Sequence, residues 1–146
     1  MVVILAANIV ERSLRPAVDS FLAQEKGARV LLSKIEDASH LRHLGVPRFD
    51  DSVDRIVGIV EKPEDPPSTF GVVGIYFYDS RVFDIITTLT PSRRGELEIS
   101  EVNNWFVSEG LLEAETLEGF WGDAGESIEA YYRVNDFVRT HGANKD

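Results

Sequence analysis

The chain opens with an alternation of strand and helix that restricts it to folds built around a sheet. Residues 2–6 (VVILA) are an apolar, largely β-branched run, which predicts a buried strand that is parallel to its neighbours and covered on both faces. Apolar residues then recur at helical spacing, and residues 28–35 return to a strand pattern. Strand, helix and strand in this order indicate a βαβ unit and an α/β fold. The helical residues are Leu14, Val18, Phe21 and Leu22.

The rest of the chain continues this alternation without a linker or an internal repeat. The strongest strand signal is the apolar run at residues 70–78 (FGVVGIYFY), and the proline-rich residues 63–68 predict a loop. We expect a single domain over residues 1–146 with a mixed sheet, and a frayed tail over residues 140–146. The other expected elements are strands at 45–50, 55–61 and 112–118, a hairpin turn at 50–52, and helices near 82–89, 99–106 and 128–138.

Charge and composition exclude several classes of function. The chain has 15 Lys and Arg against 25 Asp and Glu, and its net charge of −10 repels phosphate backbones, so we expect no nucleic-acid partner. Cysteine is absent, which excludes disulfides, cysteine-ligated zinc and a thiol nucleophile. The first apolar run is far shorter than the ~20 residues that span a bilayer, and no basic segment precedes it. We therefore expect a cytoplasmic protein without a membrane partner.

Polar residues gather where strands and loops are expected to meet. Glu61 and Lys62 end a strand, where a lysine could neutralise a phosphate or belong to a solvated charge pair. Arg94 precedes a flexible glycine, and it either contacts a ligand or belongs to a loop before an acidic helical turn. Asp123 lies between two glycines, which suits close approach of a ligand or metal as well as an ordinary turn.

Two histidines, His40 and His43, are spaced so that they could face the same way. A metal site needs further ligands, and no third candidate lies nearby in the sequence. We therefore interpret both as turn residues within the polar segment 37–44.

Taken in order, the polar stretches and the strands beside them carry a resemblance to a known family. The sequence resembles the sugar-nucleotide pyrophosphorylases, and within them the glucose-1-phosphate thymidylyltransferase family. These enzymes join a sugar 1-phosphate to a nucleoside triphosphate and release pyrophosphate. The matching segments are 3–9 (VILAANI), 25–32 (EKGARVLL), 45–46 (GV), 60–68 (VEKPEDPPS), 72–84 (VVGIYFYDSRVFD), 91–103 (PSRRGELEISEVN) and 121–127 (WGDAGES).

The resemblance implies a truncated Rossmann-like nucleotidyltransferase fold with a mixed sheet, and it assigns a sugar-phosphate site. Gly45 and Glu61 would hold sugar hydroxyls, and the backbone of Val72 would line the sugar pocket. Lys62 would hold the sugar phosphate, and Arg94 would reach the same phosphate. The implied small-molecule partner is therefore a sugar phosphate, bound weakly because the chain is acidic.

The resemblance also implies a Mg²⁺ site, which this sequence leaves incomplete. Trp121 would pack near the sugar, and Asp123 would be one of two carboxylates on the metal. The second carboxylate belongs in the turn after the first strand, where this chain has Ala7. A methyl group cannot ligate Mg²⁺, which requires oxygen ligands.

The sequence departs from the family's pattern a second time, in the segment that binds the triphosphate. The family's glycine-rich signature, which cradles the triphosphate, has no counterpart in the 146 residues. We therefore expect the sugar-binding half of a thymidylyltransferase, inactive alone and completed by another chain that carries the signature. The alternative is a non-catalytic binding or assembly module derived from this fold. In either case residues 2–5 form an uncharged edge strand, which predicts a homodimer or larger assembly.

Overall fold

Six strands form a central mixed sheet, and two short strands form a separate ribbon. The computed structural model describes residues 1–52 and 55–146, and it confirms the α/β fold with a mixed sheet. Within these residues no helix has the length and apolar composition needed to cross a membrane. The elements in chain order are β1 (Val2–Ile4), β2 (Asn8–Val10), α1 (Arg15–Ala23), β3 (Ala28–Lys34), α2 (Ala38–Leu41), β4 (Gly45–Phe49), β5 (Ile56–Glu61), β6 (Phe70–Tyr78), α3 (Val82–Thr88), α4 (Ile99–Ser108), β7 (Leu112–Thr116), β8 (Trp121–Asp123) and α5 (Ile128–His141).

Strand β6 is the centre of the sheet and pairs with three other strands. On one side β3 runs antiparallel to it, starting with Ala28 opposite Tyr78. On the other side β1 pairs with residues 75–77, and β4 meets β6 where Gly45 lies opposite Val72. Strand β7 is parallel to β3, whereas β5 is antiparallel to β4, so the sheet combines both kinds of pairing.

Both faces of β6 are covered, which explains its continuous apolar sequence. The side chains of Tyr76 and Tyr78 belong to one buried cluster, together with apolar residues of α3 and α4. Val73, Ile75 and Phe77 point to the opposite face and belong to a second cluster, which includes the buried side of α1. Successive residues of a strand face opposite sides, so a strand buried on both sides must be apolar at every position.

The first strand differs from its prediction. Residues 2–6 do contain a strand, but it runs antiparallel to β6, with Val2 opposite Phe77. Val2 is 44% exposed and Ile4 is 53% exposed, so the predicted burial on both faces and the parallel pairing are wrong. An apolar run indicates a strand without indicating its neighbour. Here β6 lies between β1 and β3, which are parallel to each other without pairing.

The other long elements lie where the sequence predicts them, and their ends differ by a few residues. The proline-rich loop at residues 63–68 is also present. The sequence pattern missed three short elements: α2 and the paired strands β2 and β8. Elements of three or four residues are too short for a periodic pattern, so their location depends on tertiary contacts.

A side-chain amide anchors α4 to the edge of β5. Asn104 donates to the carbonyl oxygen of Ile59 at 2.8 Å and accepts from its backbone nitrogen at 2.7 Å. Ile59 lies opposite Pro47 of β4, a residue that has no N–H to donate. The amide of Asn104 therefore occupies the position of a neighbouring strand and fixes α4 beside the end of β5.

The C-terminal residues are hydrogen-bonded to the segment after β2. Asn144 donates from its backbone nitrogen to Val10, and Lys145 donates likewise to Glu11. The ammonium group of Lys145 also lies 3.2 Å from a carboxylate oxygen of Glu11. These contacts join residues 144 and 145 to the end of β2 and the residue after it, and the fraying of residues 140–146 stays a prediction.

Asp79, directly after β6, ties this strand to the turn before β3. Its carboxylate accepts from the backbone nitrogen of Gly27 at 2.6 Å and pairs with the guanidinium of Arg81. Gly27 has a φ of +106°, and a Cβ there would lie 2.2 Å from the carbonyl oxygen of Leu111, so the turn requires glycine. The hydrogen bond from Arg81 is the main cause that lowers the pKa of Asp79 to about 2.

We expect Asp79→Asn to lower the free energy of unfolding at neutral pH by about 1 kcal/mol. Because the pKa of Asp79 is lower in the folded state than in the unfolded chain, its contribution is fully present above about pH 4 and is lost towards about pH 2. Urea unfolding as a function of pH measures this, and the gap between wild type and variant should narrow in acid. Exposed Asp65→Asn is the matched control, and a gap independent of pH would contradict the expectation.

Candidate functional site

A cavity of about 200 Å³ opens where β4, β5 and β6 meet the start of α4 and strand β8. A wider cleft of about 630 Å³ at the far end of α4 has none of the candidate residues in its lining. Convergent polar groups in a small concave site are typical of small-ligand binding. Six of the seven residues proposed from the sequence line the smaller cavity: Gly45, Glu61, Lys62, Val72, Trp121 and Asp123.

The sheet register places three of these residues side by side. Gly45 lies opposite Glu61 on β5 and opposite Val72 on β6, so the three form a row across neighbouring strands. A Cβ at Gly45 would lie 3.2 Å from Ile59 Cγ2 and 3.6 Å from the Oε2 atom of Glu61. Glycine at this position therefore leaves the carboxylate of Glu61 open to the cavity.

The carboxyl group of Glu61 is partly withdrawn from water. Burial raises its pKa, and the nearby carboxylate of Glu98 acts in the same direction, whereas Ser100 opposes the shift. A buried acceptor is stabilised when a donor reaches it. The carboxyl group of Glu61 can therefore accept a hydrogen bond from a donor that enters the cavity.

Lys62 places a cation immediately after this carboxylate, in an unusual backbone conformation. Its φ is +45°, and its backbone nitrogen donates to Leu44 at 2.9 Å. A left-handed conformation at a residue other than glycine costs about 1 kcal/mol and is often found at functional sites. In this conformation Lys62 lies among the residues that line the cavity.

Trp121 forms a nearly buried wall of the cavity and is fixed by Asn8. Its Nε1 atom donates to the side-chain oxygen of Asn8 at 2.8 Å, and the same oxygen accepts from the backbone nitrogen of Gly74 at 3.1 Å. A Cβ at Gly74 would lie 2.4 Å from the amide nitrogen of Asn8, so this contact requires glycine. The sequence analysis missed Asn8, whose signal is an amide in the turn after the first strand.

His40 also contacts Trp121, in contrast to its interpretation as a turn residue. It lies on helix α2, and its ring stacks on the indole with centroids 5.8 Å apart and planes inclined by 12°. His43 lines the cavity but does not share the stack. Sequence spacing alone could not indicate this contact, because His40 and Trp121 meet only through the tertiary fold.

Arg94 is the one candidate residue that does not line the cavity. Its guanidinium lies 2.9 Å from Glu96 and 3.2 Å from Glu98, and its side chain is 42% exposed. Glu98 is itself buried and accepts a further hydrogen bond from Ser92. The structure thus holds Arg94 between two carboxylates beside the start of α4.

Asp123 faces the turn that contains Ala7, and together they do not form a Mg²⁺ site of two carboxylates. The carbonyl oxygen of Ala7 accepts from the backbone nitrogen of Ala124 at 2.8 Å, and Asn8 lies opposite Asp123 in the β2–β8 ribbon. Asp123 Oδ1 accepts from the backbone nitrogen of Gly125. Within residues 1–52 and 55–146, no group of three or more acidic or histidine side chains is arranged to hold a metal.

Comparison with known proteins identifies the family. The chain matches the nucleotidyl transferase family over residues 1–141, and it therefore belongs to this family. The match confirms the resemblance that its motifs carry.

The relatives are longer than this chain. It is 38% identical over 120 residues to a glucose-1-phosphate thymidylyltransferase of Neisseria meningitidis, covering 81% of this chain and 40% of that protein. It is 32% identical over 126 residues to a nucleotidyltransferase of low-salt glycan biosynthesis from Haloferax volcanii, covering 86% and 34%. A candidate glucose-1-phosphate thymidylyltransferase of Bacillus anthracis, solved in complex with sucrose, superposes with a TM-score of 0.84 at 42% identity, covering 95% and 54%.

We expect Asn8→Ala to lower the free energy of unfolding by about 2 kcal/mol, because Trp121 Nε1 and the Gly74 N–H would lose their shared acceptor. Urea unfolding followed by circular dichroism measures the change. Asn135→Ala is the control, since that amide is exposed and donates only to a carbonyl of its own helix. Equal changes in the free energy of unfolding for the two substitutions would contradict the expectation that the Asn8 contacts stabilise the fold.

Proposed function

We propose that this chain is the sugar-phosphate-binding part of a glucose-1-phosphate thymidylyltransferase, which converts dTTP and glucose 1-phosphate to dTDP-glucose and pyrophosphate. The observation that carries the proposal is the convergence of Glu61, Lys62 and Trp121 with the backbone of Gly45 and Val72 in one small cavity. The identity of 38% to a protein named for this activity supports the choice of reaction.

The proposed roles follow from the chemistry of each group. Glu61 accepts hydrogen bonds from sugar hydroxyls beside Gly45 and Val72, and Trp121 packs against the sugar. Lys62 holds the phosphate through a charge-assisted contact. Arg94 reaches the same phosphate only if it leaves Glu96 and Glu98, because the three are paired in this structure.

The proposed reaction is an in-line displacement at phosphorus. An oxygen of the sugar phosphate forms a bond to the α-phosphorus of dTTP, the bond from that phosphorus to the bridging oxygen breaks, and pyrophosphate leaves. The residues of this chain contribute by positioning the nucleophile and balancing its charge. Because the triphosphate signature has no counterpart in the sequence, we propose that the chain is inactive alone and that a complementary chain supplies the signature.

The second candidate function is a non-catalytic binding or assembly module built on the same fold. The specific observation in its favour is Ala7, which puts a methyl group where the family's second metal carboxylate belongs. A module of this kind would keep the sugar-phosphate cavity without the metal-dependent step.

We expect calorimetry to detect weak binding of glucose 1-phosphate, with a Kd of roughly 1 mM, or about −4 kcal/mol. Lys62→Ala should weaken this binding about tenfold or more, because it removes the charge-assisted contact. Exposed Lys26→Ala is the matched control. The same protein should release no pyrophosphate from dTTP and glucose 1-phosphate; release above a blank would overturn the claim of inactivity, and binding indifferent to Lys62 would overturn its role.

We expect Ala7→Asp to create binding of Mn²⁺ or Mg²⁺ that the wild type lacks, because it would place a second carboxylate beside Asp123. Isothermal titration with each cation tests this. Exposed Ala6→Asp adds the same charge one residue earlier and should bind neither ion. Equal binding by the two variants would indicate a general effect of negative charge.

We also propose that the edge of β1 mediates a homodimer or larger assembly. Val2, Ile4 and Leu5 are 44%, 53% and 52% exposed, and in the part of the chain that the structure describes β1 pairs only with β6. An apolar edge strand without charge or proline favours pairing with another chain. The net charge of −10 limits open-ended growth and favours a closed pair.

We expect sedimentation at micromolar concentration to show a dimer, and Ile4→Lys to shift it to the monomer. A lysine on the edge adds charge repulsion between the two copies. Leu22→Lys is the control, since Leu22 is 71% exposed and belongs to α1 and not to β1. A wild-type monomer of 16.3 kDa would refute the assembly.

A further inference from the structure

Trp121 is the largest side chain in the wall of the cavity, and two residues fix its ring. Asn8 accepts the hydrogen bond from its ring nitrogen, and His40 stacks on its face. Asn8 lines the cavity, whereas His40 does not. Any effect of His40 on a ligand must therefore pass through Trp121.

A carboxylate lies beside the imidazole of His40. Its Nε2 atom is buried and lies 3.0 Å from Oε2 of Glu126, in the segment between β8 and α5, without the geometry of a hydrogen bond. Both side chains are mostly buried, at 17% and 25% exposure.

The helix that carries His40 is well anchored despite its length of four residues. Asp37 accepts from both the backbone nitrogen and the hydroxyl of Ser39 at its start. Leu41 is 2% exposed and belongs to the buried cluster that contains Trp121. The stack thus joins two fixed parts of the chain and restrains the indole ring.

We propose that His40 is a positioning residue for the ligand: held by the anchored helix α2, it keeps the indole of Trp121 in place as a wall of the cavity. The proposal rests on the proposed sugar-phosphate function. It gives residues 37–44, the polar segment before β4, a role in ligand binding through the contact between the rings of His40 and Trp121. An aromatic stack of this kind contributes enough to change affinity by about two- to tenfold.

Fluorescence in a Trp105→Phe background tests the contact without any ligand, because Trp121 is then the only tryptophan. His40→Ala should increase quenching of Trp121 by acrylamide about twofold or more, since it uncovers one face of the indole. His40→Phe keeps a stacked ring and should restore most of the shielding. His141→Ala is the matched control, because that histidine stacks on Phe137 and not on Trp121.

Calorimetry with glucose 1-phosphate tests the consequence for binding. His40→Ala should weaken binding about two- to tenfold, and His40→Phe and His141→Ala should stay near the wild-type value. Unchanged quenching in His40→Ala, or increased quenching with unchanged affinity, would overturn the role of His40 alone. Failure of the wild type to bind glucose 1-phosphate would overturn the proposed function together with this role, even where quenching behaves as expected.

Discussion

The burial of β6 on both faces is the constraint on which the rest of the structure depends. One face requires α3 and α4 as cover and the other requires α1, so a single strand determines where three helices lie. The same strand also supplies part of the cavity. Val72 and Tyr76 line it from positions that share a face, and Gly74 between them allows Asn8 to approach. The site is thus built into the most buried strand of the fold, where the backbone has least freedom to move.

At the cavity, the positive charge of Lys62 opposes the net negative charge of the whole chain. A net charge of −10 opposes an anionic ligand, and Glu61 adds a carboxylate to the cavity lining, with the carboxylate of Glu98 nearby. Lys62 is the cation among the lining residues, and Arg94 is paired nearby with Glu96 and Glu98. A phosphate is therefore attracted by one close charge and repelled by a diffuse field. Such a balance favours a weak ligand that also offers hydroxyl groups to Glu61.

The sequence predicted those features that depend on local pattern. The apolar run of β6, the helical stripes and the strand end at Glu61 are all local signals, and the structure places each where its pattern indicates. The predicted parallel pairing of β1 was wrong because strand pairing depends on the tertiary fold, which an apolar run does not indicate. His40 and Asn8 were missed for the same reason, since their partner Trp121 lies more than 80 residues further along the chain. The motif around Arg94 is clear in the sequence, but it does not indicate where the side chain lies. The ion pairs with Glu96 and Glu98 determine whether Arg94 faces the cavity.

Under the proposed function, Ala7 would separate the fold of this chain from the metal chemistry that the resemblance implies. The turn that contains it is held by its carbonyl oxygen, which accepts from Ala124, and by the pairing of Asn8 with Asp123. These contacts use backbone atoms, so the side chain at position 7 contributes to none of them. Under the proposed function, a methyl group there would remove an oxygen ligand of the metal while the backbone contacts of the turn remain. The row of Glu61, Gly45 and Val72 lies on other strands and is untouched by the change. Under the proposed function, the cavity would bind a sugar phosphate without the metal, because the two sites would use different residues.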